Sequence, residues 1–192
     1  MLERIIEEVK NTVVATIKGV DDTVTALREV VKNQVTGVLK DTGEVGKAGA
    51  DTVAGVAAGA LKGASDVVES ITDAAKNTVH AVALGASEAG GDVVDAIRKG
   101  AQGVVRGADE LGRDVGATGV AAVQGAVAAA GEIGVETSEA AKAAATGVIR
   151  AADNIGSEAG STVRKALLSA SSLPRDVIEK VVKGSEEEQQ EE

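Results

Sequence analysis

The chain has 192 residues, 20 of them basic against 30 acidic, a net charge of −10, and no Phe, Tyr, Trp or Cys. The missing cysteines exclude a disulfide framework and a thiolate metal site, and the acidic balance argues against nucleic acid, which needs a basic stripe. Without aromatic side chains any core must be shallow and built mainly from Val and Ala.

The N-terminal residues Met1-Leu2-Glu3-Arg4-Ile5-Ile6-Glu7-Glu8 are charged and already in a repeat, so no secretory leader is expected. From Leu2 the apolar positions step by three or four through Ile6, Val9, Val13, Ile17, Val20, Val24, Leu27, Val31, Val35 and Val38. That is the signature of an amphipathic helix. A 22-residue unit begins at Ala15 and recurs at Gly37, Gly59, Ala81, Gly103, Gly125, Gly147 and Ser169 without an insertion. Read as two elevens, the unit fits a helix of nearly three turns per eleven residues. The apolar contact face continues through Val53, Ile71, Val79, Val82, Val93, Ile97, Val104, Leu111, Val115, Val123, Ile133, Val148, Ile155, Val163 and Leu167.

The opposite face is charged. Asp22, Glu44, Asp66, Glu88, Glu110, Glu132 and Asp176 share one 22-residue spacing, and only Asn154 breaks the series. Lys18, Lys40, Lys62, Arg106 and Arg150 form a basic column, and Glu7, Glu29, Asp51, Asp73, Asp95 and Glu139 an acidic one eleven residues away. Pairs such as Lys18–Asp22, Lys40–Glu44, Lys62–Asp66 and Arg106–Glu110, or Asp95–Arg98 at closer spacing, are expected to neutralise this face within one helix.

Glycine and proline punctuate the pattern. Gly55, Gly59, Gly63, Gly103, Gly107, Gly112, Gly116, Gly156 and Gly160 place small residues four apart, a spacing that lets helix backbones approach closely. Gly90-Gly91 is the best internal turn, but the undisturbed phase across it favours a continuous helix. The stretch from Val115 to Gly131 is uncharged but slightly short of a membrane span. Pro174 is expected to end the long helix, leaving a short helix over 174–183 and a disordered acidic tail over 184–192.

No chemistry is legible. His80, the single histidine, falls on the polar face and is expected to be solvated. Members of the carboxylate series lie about 33 Å apart along a helix, too far to share a metal ion. Gly85-Ala86-Ser87-Glu88-Ala89 lacks the second glycine of a nucleophile elbow. Catalytic, metal and cofactor residues are therefore all expected to be none, and the chain is expected not to be an enzyme.

The pattern resembles the 11-residue-repeat amphipathic helix proteins. Val35-Thr36-Gly37-Val38-Leu39-Lys40-Asp41-Thr42 is similar to perilipin repeats, and the paired elevens resemble exchangeable apolipoproteins and synucleins. The late-embryogenesis-abundant proteins share the period. The resemblance implies a helix on a lipid surface or, for the last group, stress protection.

The expected fold is all-α: a long amphipathic 22-residue-unit helix, or a helical hairpin or bundle, elongated rather than globular, and uninterrupted over 1–173. The expected function is a coat on a membrane, lipid droplet or storage granule. The alternatives are a self-assembling coiled-coil or filament protein, and a stress protectant. The expected partners are a lipid surface, copies of the chain itself, or both, with no nucleic acid and no small-molecule substrate. The expected location is cytoplasmic, free or peripheral on a membrane or granule.

Overall fold

Glycine turns at Gly90, Gly112 and Gly134 break the expected long helix. In the computed structural model, which describes residues 2–18, 22–41, 47–67 and 70–190, the chain forms α1 (Leu2–Ile17), α2 (Thr23–Asp41), α3 (Lys47–Ser65), α4 (Ile71–Ala89), α5 (Val93–Glu110), α6 (Val115–Ile133), α7 (Thr137–Ile155), α8 (Ser157–Ser169) and α9 (Arg175–Gln190). Gly90, Gly112 and Gly134 take left-handed conformations with φ of 71°, 63° and 74°. This backbone favours residues without a Cβ and stops a helix by turning its last amides back onto orphan carbonyls. Gly91 N–H donates to Ala86 O at 2.9 Å and Arg113 N–H to Ala108 O at 2.8 Å. Two residues past each of these glycines an acidic residue opens the next helix. Asp92 and Asp114 cap α5 and α6 by accepting from the Asp95 and Ala117 amides, and Ser70 caps α4 in the same way.

These turns correct the reading of the period. The 19 helical residues of α6 and its three linking residues together make one repeat unit. The loop belongs to the repeat, so the phase passes through every turn unshifted. Gly90-Gly91 is thus a turn, and Gly112 and Gly156 end helices instead of packing them. Three linking residues reach only about 10 Å, whereas a 19-residue helix is about 28 Å long. Successive helices must therefore run antiparallel.

Helices two apart pack against each other most extensively: α1 with α3, α2 with α4, α3 with α5, α4 with α6 and α5 with α7. The result is an odd layer (α1, α3, α5, α7, α9) laid against an even one (α2, α4, α6, α8). Among the described residues no helix packs against one more than two places along. The accessible surface of 9156 Å² is within about a tenth of the roughly 8,400 Å² expected for a compact chain of this mass. The fold is a packed helical bundle, not an elongated helix.

Within a layer the close approach depends on glycine. A Cβ on Gly59 would lie 2.5 Å from Ile6 O, and one on Gly63 or Gly85 would lie 2.7 Å from Lys10 O or Lys32 O. Gly103, Gly107, Gly125 and Gly147 likewise sit over Ala54, Ala58, Lys76 and Arg98 of the helix two before. The constant offset from Gly103–Ala54 to Gly107–Ala58 shows that helices within a layer are parallel. Gly55 is buried, while Gly116 and Gly160 face the side chains of Ala166 and of Asp153 and Arg164.

The expected apolar face is the core. Val9, Val13, Leu27, Val31, Val35, Val53, Val79, Val82, Ile97, Val104, Val123, Val148, Val163 and Leu167 are buried; each fully buried side chain of this size stabilises by about 1.5–3 kcal/mol. Val38, Ile71, Val93, Leu111, Val115, Ile133 and Ile155 are half-buried, most of them because they stand at helix ends. Val24, in the first turn of α2, is exposed, and Val20 lies outside the described residues. Pro174 directly precedes α9, which runs past Lys183 through the acidic segment to Gln190, so residues expected to form a disordered tail are helical there.

Candidate functional site

The carboxylate series sits at helix ends. Glu88, Glu110 and Glu132 occupy the last turns of α4, α5 and α6, where the helix dipole disfavours negative charge. Each is met by a basic side chain from the helix two before. Lys32 Nζ lies 3.0 Å from Glu88 Oε1, Lys62 Nζ contacts Glu110 Oε2, and His80 Nε2 lies 2.9 Å from Glu132 Oε1. The other members differ. Asp22 caps α2, its Oδ1 accepting the Thr25 amide at 3.0 Å and its Oδ2 the Thr25 hydroxyl at 2.6 Å. Those two bonds hold its carboxyl below the usual carboxylate range. Glu44 lies outside the described residues.

The charged face therefore serves the stack. Of the pairs expected within one helix, Asp95–Arg98 forms and Arg106 Nε approaches Glu110 Oε1 at 3.6 Å. Arg175 and Glu179 also pair within α9, at 2.8 Å, and the remaining close partners among the described residues bridge helices. Lys99 Nζ reaches Asp51 Oδ1 at 3.3 Å. Arg164 of α8 clamps Asp153 of α7 through two bonds of 2.6 and 2.8 Å, and its Nε donates to Ser185 of α9 at 3.2 Å. The guanidinium pKa is raised by the Asp153 bonds.

His80 is not solvated. Only 1% of it is exposed, and its Nδ1 is buried without a hydrogen-bond partner. The single-helix wheel placed it on a polar face, but in the bundle that flank of α4 meets α6. Thr36 and Gln124 share its unit position and also reach along the even layer: Thr36 donates to Gly85 O of α4 at 3.1 Å and Gln124 to Ser172 Oγ, in the turn after α8, at 2.8 Å.

At the break in the series two polar groups are left over. Lys62 and Glu110 are 48 residues apart; the same register from Arg106 leads to position 154, near the end of α7, where Asn replaces the carboxylate. Arg106 Nε and Nη2 are buried and lack a hydrogen-bond partner. The Arg106 side chain, 38% exposed as a whole, helps to line a cavity of about 460 Å³ together with Asp51 and Ala54 of α3, Gln102, Gly103, Asp109 and Glu110 of α5, and Ala151, Asn154 and Ile155 of α7. The exception at Asn154 is legible in the sequence but its consequence is not, because the partner lies two helices away.

Among the described residues no group of three or more His, Cys, Asp or Glu could hold a metal ion, and no helix is long and apolar enough to cross a membrane. Fold and surface define an all-α packed helical bundle. No protein-family model, curated protein or solved structure matches the chain.

Proposed function

We propose that the chain is a non-enzymatic structural protein that assembles end to end with copies of itself. The observation that carries this reading is an open seat at the start of the stack. Gly37 of α2 holds the unit position of Gly59, Gly103, Gly125 and Gly147, each seated on the helix two before it; a Cβ on Gly37 would meet nothing within 4 Å. At the other end Leu168 of α8 holds the unit position of Thr36, His80 and Gln124, which reach onward along the layer, and it is 42% exposed. Repeat stacks whose ends are not closed by polar caps invite further stacking. Mass in solution across a concentration series, by analytical ultracentrifugation, tests this. Concentration-dependent oligomers that Gly37→Leu weakens and Gly131→Leu leaves alone are expected. A chain that stays monomeric throughout refutes the reading.

The lipid coat is the second reading. Its support is α6, uncharged from Val115 to Gly131, with Val120 and Val127 half-buried and Ala128 exposed. The broad apolar face that a coat requires is consumed by the core, so coating demands that the bundle open. Vesicle titration followed by circular dichroism and by exchange of core amides tests this: binding without loss of core protection rules out the opened coat.

A further inference from the structure

The cavity between α3, α5 and α7 is where one interaction of the repeat has been removed. In the preceding unit of the odd layer a carboxylate, Glu110, receives the base two helices earlier, Lys62. At the next position Asn154 stands in for the carboxylate, and Arg106 keeps two buried donors without an acceptor. A buried guanidinium edge of this kind calls for an acceptor, and a carboxylate matches its paired N–H geometry. Glu110 does not serve: its nearer oxygen is 3.6 Å from Arg106 Nε, and the other is taken by Lys62. We infer that this cavity binds a small zwitterion, a carboxylate and an ammonium on one short skeleton as in a free α-amino acid. The ligand's carboxylate takes the place of the missing side-chain carboxylate at position 154.

The rest of the lining selects the second charge. Asp51, Asp109 and Glu110 all border the same space and would repel a bare anion. Lys99 and Lys62 offset Asp51 and Glu110 from outside the lining, which leaves Asp109 to receive an ammonium. Ile155 with Ala151 and Ala54 supplies an apolar wall for a short aliphatic side chain. A volume of about 460 Å³ lies within the range of ligand pockets and leaves room for a molecule of this size with accompanying water. Arg106 and Asn154 discriminate by chemistry, because a ligand lacking the carboxylate leaves the guanidinium unpaired.

The test is a two-dimensional NMR titration of the full chain with L-valine, following the Ile155 methyl groups and the Asn154 side-chain amide. Saturable shifts are expected. They should need at least about ten times more ligand with valinamide, which lacks the carboxylate, or N-acetylvaline, which lacks the ammonium; the factor is the loss of one charge-assisted interaction. Arg106→Gln should weaken valine by a similar factor. Asn154→Glu should restore the repeat's ion pair, raise the Tm and abolish the valine shifts. This variant adds an interaction, so lost binding cannot be put down to lost fold. The inference is overturned by no saturable shift with valine, by equal binding of valinamide, or by valine binding that survives Asn154→Glu.

Discussion

Replacing Gly85 by Ala separates a helix-propensity view of this chain from a packing view by sign. In an isolated helix Gly→Ala is worth about 1 kcal/mol of added stability. In the bundle the new Cβ would stand 2.7 Å from Lys32 O and 3.0 Å from Val35 Cβ. The first of these is backbone of α2 and cannot swing aside, so α2 and α4 must separate. Overpacking of this kind costs about 1–3 kcal/mol. The net expectation is a loss of about 0–2 kcal/mol. At Gly37, where within one chain a Cβ meets nothing within 4 Å, the same substitution should give the propensity gain alone when melted at concentrations where the chain is monomeric. The difference between the two variants, about 1–3 kcal/mol, is the packing cost itself. At about 2–4 °C per kcal/mol for a chain of this size, it is readable as a Tm difference in thermal melts followed by circular dichroism. If Gly85→Ala is stabilised as much as Gly37→Ala, the layers are not locked by glycine and the register argument fails.

Other substitutions probe the turns and clamps. Gly112 has φ of 63° and open space where a Cβ would go, so Gly112→Ala should cost about 1–2 kcal/mol from backbone strain; Gly112→Asn should recover part of it, measured by chemical denaturation. Arg164→Met should lower stability by about 2 kcal/mol, because it strips the charged bonds to Asp153 and the bond to Ser185. An unchanged denaturation midpoint would show that the clamp does not hold α8. Asp22 has a lowered carboxyl pKa, so its capping contribution is present above the unfolded-state pKa and is lost as pH falls through the lower folded value. The Thr25 amide shift should therefore titrate with a midpoint below the ordinary 3.8, and a midpoint at or above it would remove the cap from the account.

The turns were written in the sequence and could be misread from it. Gly90, Gly112 and Gly134 stand one unit apart, each followed two residues later by Asp92, Asp114 or Glu136. That is a stop signal and a start signal within three residues. Twenty-two is also two elevens, so the same spacing fits an unbroken helix, and an unshifted phase looked like continuity. His80 misled for a related reason. A helical wheel has one inside, whereas α4 is flanked by α2 and α6 as well as covered by the odd layer. The cavity was half legible: the exception at Asn154 is plain, but Arg106 becomes its partner only when α5 and α7 lie side by side.

By itself the sequence determined the helical state, the 22-residue unit and the inward set of Val, Ile and Leu positions, because side-chain periodicity is a local property of the backbone. The tertiary structure decided what that face meets. Its apolar residues pack on other helices of the same chain, its glycines bring parallel helices within a layer to backbone contact, and its charges pair across two units. Those outcomes depend on the reversal of direction at each glycine turn. Reversal places residues about 48 positions apart side by side, and no reading along a single helix can bring them together.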